Sequence, residues 1–549
     1  MQKTQNYLRT GLPVLSLLIV PVVLVVIGFT LRKINGGFSI FAIDPEFSYL
    51  YSGVLLAQGK INLFTDHPGT PLIVLAAIVS RIVHLFRLPG PFVEDVMQNP
   101  DIYLNAINLS MIVLIAAVVF IAGLWMYRKT GNLAAVLFLQ ISPFVAESVF
   151  SSLERYMPEP FFIAVVVMLV AVIVVDIHGK LNESSFLSNR AIIYGIIIGF
   201  GISLKFTFGP FLVIPLFLLG GFKKKLHYLA AMVISFIVFT FPLLKRGKAF
   251  FEWIKSIVMH SGKYGSGEAN VLDPNQFFAN LKSIYQSEKH LIYALALAAF
   301  VLIISLLPVF YRRIKNKKYL LALAAIGSAM VLGILAISKH YAAYYLIPYS
   351  LLTLAVVYLS FTILLEIISY RKRWLEALLY TAAAIIILSN PISVTQYRVY
   401  KKIRVQKQEN KQQIISDVDN LALNGGALLL SADNWHISKE SGLFFGMLMT
   451  PGGSKWFGPV LNKLYPDTYL FKEWKGSYFD WFDKPHEAGE LLEKYSEITA
   501  IAKHYNPGVY EQLEATFTKT GMAIVEVIYQ EPTTKLQVYR IARKSTAED

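Results

Sequence analysis

The sequence predicts an α-helical polytopic membrane protein of about eleven transmembrane helices, followed by a C-terminal α/β domain. Three observations carry that prediction. The 549 residues are 55% hydrophobic and only 16% charged, with a mean hydropathy of +0.52, which is too apolar for a water-soluble protein. Apolar runs of spanning or near-spanning length recur from the first residues to about 390 and then stop. The net charge of +15 sits entirely in that apolar part: residues 391–549 hold 19 Lys/Arg and 19 Asp/Glu, against 32 and 17 before them. A basic excess confined to short loops between apolar runs fixes topology and argues against a nucleic-acid partner. The chain has no Cys, so disulfides, thiol catalysis and thiolate metal sites are excluded.

The expected spans are 11–31, 102–127, 133–149, 159–175, 191–208, 209–222, 226–244, 291–311, 319–338, 347–370 and 374–390. The first lacks a small-residue cleavage site and is read as an uncleaved helix. The stretch 71–86 is short and interrupted by Arg81 and His84, which favours a helix lying on the membrane surface. With it outside the count, Arg128-Lys129, Lys223-Lys224-Lys225, the Arg312 to Lys318 cluster and Arg371-Lys372-Arg373 share the cytoplasmic side with Lys3 and Arg9. Residues 32–101, 150–158, 245–290, 339–346 and the C-terminal domain then face outward, with 13 of the 17 acidic residues before 391 on or near that side. Segments 191–208 and 209–222 read alternatively as two half-depth helices around Lys205. The chain thus divides into a membrane domain, 1–390, and a soluble domain, 391–549. In the latter a polar helix over Lys401–Leu421 leads to strands at Ala427–Ser431, Ile498–Lys503, Met522–Tyr529 and Leu536–Ile541, with a helix near Pro507–Phe517.

The chemistry concentrates in the outward loops. Asp44-Pro45-Glu46 offers a base with an orienting partner or a metal ligand, or else Asp44 is the N-cap of a helix Phe47–Ala57. Asp66-His67-Pro68-Gly69-Thr70-Pro71 places an acid and an imidazole in a turn, with His67 able to meet a phosphate, hold a metal or close the turn. Arg155 suits phosphate recognition and Glu159 a first helical turn. Glu147 and Lys205 are ionisable groups in apolar runs, where they are costly, although Lys205 has the option of snorkelling. His260, Lys263 and Tyr264 open a glycine-rich loop that reads either as a binding lid or as a flexible surface segment. Lys339, His340 and Tyr344 suit a phosphate and a sugar ring, or an interfacial aromatic belt.

In this order the motifs resemble the GT-C superfamily of polyprenyl-phosphate-sugar-dependent glycosyltransferases, in particular the protein O-mannosyltransferase and lipid A aminoarabinose transferase families (39/83-like). The likeness runs over roughly residues 1–370 and rests on five features. These are the carboxylate pair after the first helix, Asp66-His67-Pro68, Ser142-Pro143 followed by Pro158-Glu159, Leu204-Lys205 with Gly209-Pro210, and the Lys339 to Pro348 run. Gly69 stands where the family usually has a second proline, and Pro45 separates carboxylates that are usually adjacent.

The resemblance implies an enzyme of the plasma (inner) membrane with an extracytoplasmic active site. Its donor would be a sugar on undecaprenyl or dolichyl phosphate, its acceptor a glycan, lipid or protein, and the transfer inverting. Asp44, or else Glu46 or Asp66, would be the base, and His67, Arg155, Lys205 and Lys339 would meet the phosphate. A divalent ion on Asp44 and Glu46 stays open, and no other cofactor is implied. The alternatives are a lipid-linked glycan flippase or exporter, which calls for polar groups at midplane, and a non-catalytic membrane binding protein.

Overall fold

The computed structural model describes residues 13–64, 66–87, 90–181, 189–260, 268, 270–370 and 372–389, with short stretches between 401 and 416, then 426–431, 438–472, 474–503, 515–519, 523–530 and 536–543. It divides into two compact units, one of residues 1–32, 65–72 and 108–400, the other of 33–64, 73–107 and 401–549.

The first unit is helical. Among the described residues of the whole chain, seven helices are long and apolar enough to cross a membrane, or nine if each of two bent pairs is one span. The expected eleven straight spans differ from this for local reasons. The run 133–149 breaks after Gln140 into a 3-10 turn, Ser142–Phe144, and resumes at Glu147 with a bend of 72°, because Pro143 has no N–H to continue the ladder. Glu147 therefore opens a short helix as an exposed residue instead of lying inside a span. The segment 245–290 holds two helices, Gly247–Met259 and Pro274–Ser287, the latter capped by the Asp273 carboxylate on the amides of Asn275 (3.0 Å) and Gln276 (3.3 Å). Pro274–Ser287 meets Lys289–Ser305 at 89°.

Pro158–Ile177 is buried along nearly its whole length. The turn before it is held by Arg32, which donates to the Glu154 carbonyl at 3.0 Å, by Asn108, which donates to Leu153 at 3.3 Å, and by the Tyr156 hydroxyl on the Leu72 carbonyl. The expected half-depth pair is present as Arg190–Leu204 followed by the 3-10 turn Phe206–Leu212 and the helix Val213–Leu218. Gly201 permits the reversal between them: a Cβ there would lie 2.3 Å from the Phe208 ring, which folds back to stack on Phe211 (4.1 Å) and Phe162 (5.3 Å).

The second unit joins the early segments to the C-terminal domain. That domain is a seven-stranded sheet in the order β4-β3-β2-β1-β5-β7-β6, with β1 Ala427–Ser431, β2 Thr468–Lys472, β3 Ser477–Phe479, β4 Pro485–His486, β5 Glu497–Lys503, β6 Ala523–Gln530 and β7 Leu536–Arg543. The strand β1 pairs in parallel with β2 and β5, and the outer pairs are antiparallel. Leu429, Phe471, Tyr478, Ile498, Tyr539 and Ile541 form its core. All four expected strands are present; the expected helices at 401–421 and 507–517 fall largely outside the described residues.

The helix Lys439–Met449 lays Gly442 and Gly446 against Phe47 and Tyr51 of the helix Glu46–Ala57. Lys463 reaches Glu94 at 2.8 Å. The polar residues that interrupt 71–86 are engaged: Arg81 donates to the Ala57 carbonyl at 2.7 Å, and Asp95 receives His84 (3.4 Å) and Arg87 (3.1 Å). By length and composition Thr70–Arg87 also passes as a span.

Candidate active site

The site is built around the helix break at Lys205. Its backbone is extended (φ −163°, ψ 141°), which turns the side chain out of the helical ladder. The ammonium is buried and meets the carboxylate of Glu159, also buried, at 2.5 Å, with the Tyr345 ring 4.3 Å away. A buried ammonium needs a partner, and Glu159 is delivered by the first turn of Pro158–Ile177, where the helix dipole favours a carboxylate. The Tyr349 hydroxyl fastens the same break through the Thr207 carbonyl.

The loop of His67 is tied to this point, with the Gly69 amide donating to the Leu204 carbonyl at 3.2 Å. His67 has φ +83°, a left-handed conformation that costs a non-glycine residue about 1–3 kcal/mol and tends to be kept where function needs it. Its ring stands edge-on to Trp253 at 5.5 Å. Burial, helped by the Lys205 charge, holds the imidazole pKa well below its ordinary 6.5, so His67 is neutral at pH 7.

Lys205, His67, Trp253 and Tyr345 line a cavity of about 430 Å³. The helix Gly247–Met259 supplies one wall through Trp253, Ile254, Ile257 and Val258, and the end of Lys318–Ser338 with the turn after it supplies another. Lys339, His340 and Tyr344 lie on that turn and also line the cavity. Lys339 is not a free cation for an anion: its ammonium donates to the carbonyls of Ile257 (2.7 Å) and Val258 (2.8 Å), closing the C-terminus of Gly247–Met259, and burial lowers its pKa. Two neutral groups in the wall, the Trp253 indole nitrogen and the Thr207 hydroxyl, are buried without a hydrogen-bond partner.

The remaining candidates lie elsewhere. Asp66, next to His67, is half-buried and does not line the cavity. Arg155 is half-buried in extended backbone after the turn Ser152–Glu154, away from the lining. His260 ends the helix Gly247–Met259, and Lys263 and Tyr264 are outside the described residues. Asp44 and Glu46 belong to the second unit. The N-cap of the helix Glu46–Ala57 is Pro45, joined to Asp44 by a cis peptide bond. Asp44 is exposed, whereas Glu46 is fully buried. Among the described residues no three His, Asp or Glu side chains converge.

Sequence reasoning missed Trp253, Thr207 and Phe206 as lining residues. The spacing of Trp253, Ile254, Ile257 and Val258, one face of a helix, was the available signal.

Residues 103–338 match the model of glycosyltransferase family 87. The chain is a membrane glycosyltransferase. The matched region of the transferase contains Glu159, Lys205, Trp253 and the helix Lys318–Ser338, while the loop at 44–71 and the C-terminal domain lie outside it. The enzyme class agrees with the resemblance read from the motifs.

No curated protein matches the transferase. Two solved structures of ArnT from Cupriavidus metallidurans align with it. The form bound to undecaprenyl phosphate has 13% identity over 95% of this chain and 97% of that one, with a TM-score of 0.47. The apo form has 13% identity over 94% and 97%, with a TM-score of 0.45.

Proposed function

We propose that the transferase takes its sugar from a polyprenyl-phosphate carrier and passes it, with inversion, to a glycan, lipid or protein acceptor outside the cytoplasm. The observation that carries this reading is the cavity: apolar walls with a single buried ammonium at a helix break, a neutral imidazole and two unpartnered neutral donors. Such a lining suits a ligand that is largely apolar with one anionic head. The GT-C arrangement belongs to the same reading, with 1–390 as the catalytic membrane domain of the plasma (inner) membrane and 391–549 outside it. Supporting it are the basic loops assigned to the cytoplasm and the acidic residues on the opposite side.

In the proposed reaction Asp44 takes the proton from an acceptor hydroxyl as its oxygen attacks the anomeric carbon; Asp66 is the second candidate. Exposure of Asp44 favours it over the enclosed Glu46. The bond from that carbon to the phosphate oxygen breaks, and its electron pair leaves with the lipid phosphate. Lys205, its charge partly offset by Glu159 in the resting enzyme, steadies the developing charge, with His67 as a neutral donor.

The test is transfer from radiolabelled polyprenyl-phosphate sugars in membranes carrying the enzyme. Release of prenyl phosphate with an inverted product is expected. An enzyme that turns over no lipid-phosphate sugar yet moves labelled lipid across liposomes overturns the proposal. Because the chain has no Cys, single introduced cysteines in 245–290 and 339–346 report sidedness through a membrane-impermeant thiol reagent.

A further inference from the structure

The helix Arg373–Leu388 lies in parallel beside Leu133–Gln140. Their starts meet where the Asn132 side chain donates to the Glu376 carboxylate at 3.3 Å, and further along Tyr380 stacks on Phe138 at 5.1 Å. Beside this contact runs a largely apolar groove of about 710 Å³, lined from Ala134 to Ile141 on one helix and from Ala377 to Ser389 on the other. At about 1.5 Å per residue the longer wall covers roughly 18 Å, a little more than one leaflet of a hydrocarbon core of about 30 Å. The groove is open along its side to the outside of the bundle, where Ile385 in its wall is 65% exposed. None of its residues lines the cavity at Lys205, and it has no part in the proposed transfer.

Cations gather where both helices start. Arg128 and Lys129 end the helix Pro100–Thr130 just before Asn132, and Lys372 and Arg373 open the other helix; all four are exposed. The carboxylate at this end, Glu376, is engaged by Asn132. Among the described residues the side chains of Arg128, Lys129 and Arg373 have no ion-pair partner. Trp374, next to Arg373, is 60% exposed, which suits an aromatic anchor at the headgroup level.

We infer that this groove is a binding site for an anionic two-chain phospholipid, with its phosphate among the four cations and one acyl chain along the groove. Charge selects the head: each Lys or Arg near the membrane surface favours an anionic lipid by about fivefold. Length and position select the tail. The groove is matched to an acyl chain of a single leaflet, and its open side admits a lipid from the surrounding bilayer. In the proposed topology the four cations lie at the cytoplasmic face, so a polyprenyl carrier seated here holds its phosphate across the membrane from Lys205, where the transfer has no use for it. A phospholipid that bridges both helices stabilises their contact, and binding to the folded chain alone raises its melting temperature.

The test uses the full chain in detergent with dioleoylphosphatidylglycerol as the anionic probe and dioleoylphosphatidylcholine as the zwitterionic one. The wild-type chain is expected to bind the anionic lipid about 25-fold or more tightly than the zwitterionic one, and to melt higher in its presence. Lys129→Gln/Arg373→Gln is expected to lose about 25-fold in affinity for phosphatidylglycerol and to keep its affinity for phosphatidylcholine. Lys223→Gln/Lys225→Gln, in a basic loop that does not line this groove, is expected to change neither. Thr381 lies exposed in the groove wall, so Thr381→Trp is expected to weaken both lipids by about tenfold; should that variant fail to fold, Thr381→Leu gives a smaller step in the same direction.

Equal wild-type affinities for the two lipids overturn the site. So does a loss in the Lys223/Lys225 control as large as that in the Lys129/Arg373 variant, or a flat response to both Thr381 variants. Undecaprenyl phosphate that displaces an equimolar amount of phosphatidylglycerol gives the groove to the carrier and overturns the occupant.

Discussion

The buried pair of Lys205 and Glu159 allows folding and chemistry to be separated in one cycle of variants. Their side chains are 7% and 1% exposed and their charged atoms 2.5 Å apart. Replacing Lys205 by Met leaves the Glu159 carboxylate buried without its ammonium, and breaking such a pair costs about 3–5 kcal/mol of stability. Adding Glu159→Gln removes the orphaned charge, so the double variant is expected to recover to within about 1 kcal/mol of wild type, since a buried pair and a neutral replacement are often nearly equal. Activity has no such recovery. If Lys205 steadies the departing phosphate, its loss raises the barrier by about 3–4 kcal/mol, a fall of roughly 100-fold to 1,000-fold in kcat for both the single and the double variant. Thermal melting in detergent gives the stability arm and transfer from a labelled lipid-linked sugar gives the rate. A Lys205→Met/Glu159→Gln enzyme that melts near wild type and transfers at the wild-type rate refutes the role of Lys205, and the pair is then structural.

Further outcomes follow from the same geometry. Asp44→Asn is expected to lose about 100-fold to 10,000-fold in transfer with an unchanged melting temperature, because Asp44 is exposed; near-normal transfer assigns the base elsewhere, and the parallel Asp66→Asn variant is the next candidate. Because the folded pKa of His67 lies below its ordinary 6.5, the unfolded chain binds the proton first as pH falls. Its contribution to stability is therefore complete above pH 6.5 and declines below it; His67→Gln should flatten that decline in melting curves taken at stepped pH. Gly446→Leu places a Cβ 2.7 Å from the Tyr51 ring and 3.2 Å from the Phe47 Cβ. It is expected to cost about 1–3 kcal/mol through overpacking, visible as faster proteolysis of the C-terminal domain.

Much of the architecture was legible along the chain because hydropathy and charge are local signals. The apolar runs, the basic loops and the strands β1, β5, β6 and β7 stand in sequence where they stand in the fold. The break at Lys205 was legible too, as a cation followed by Gly209-Pro210 inside an apolar stretch. The strands β2 to β4 were not. They are short, and β2 is buried on both faces, so its TYLFK segment lacks the alternation that marks a half-buried strand. Glu147 stands outside the expected span because Pro143 precedes it, where the backbone ladder cannot continue.

The sequence by itself determined the membrane class, the division near residue 390 into a basic apolar part and a neutral polar part, and the roster of ionisable residues from which a site had to come. Only the tertiary structure decided which of those residues act together. It paired Lys205 with Glu159, 46 residues away, and committed Lys339 to carbonyls 81 and 82 residues earlier, so that two lysines equivalent in sequence became half of a buried ion pair and a helix cap. The reason is physical: a buried charge is set by the partner that packing delivers to it, and that partner is not written into the charge's own neighbourhood in the chain.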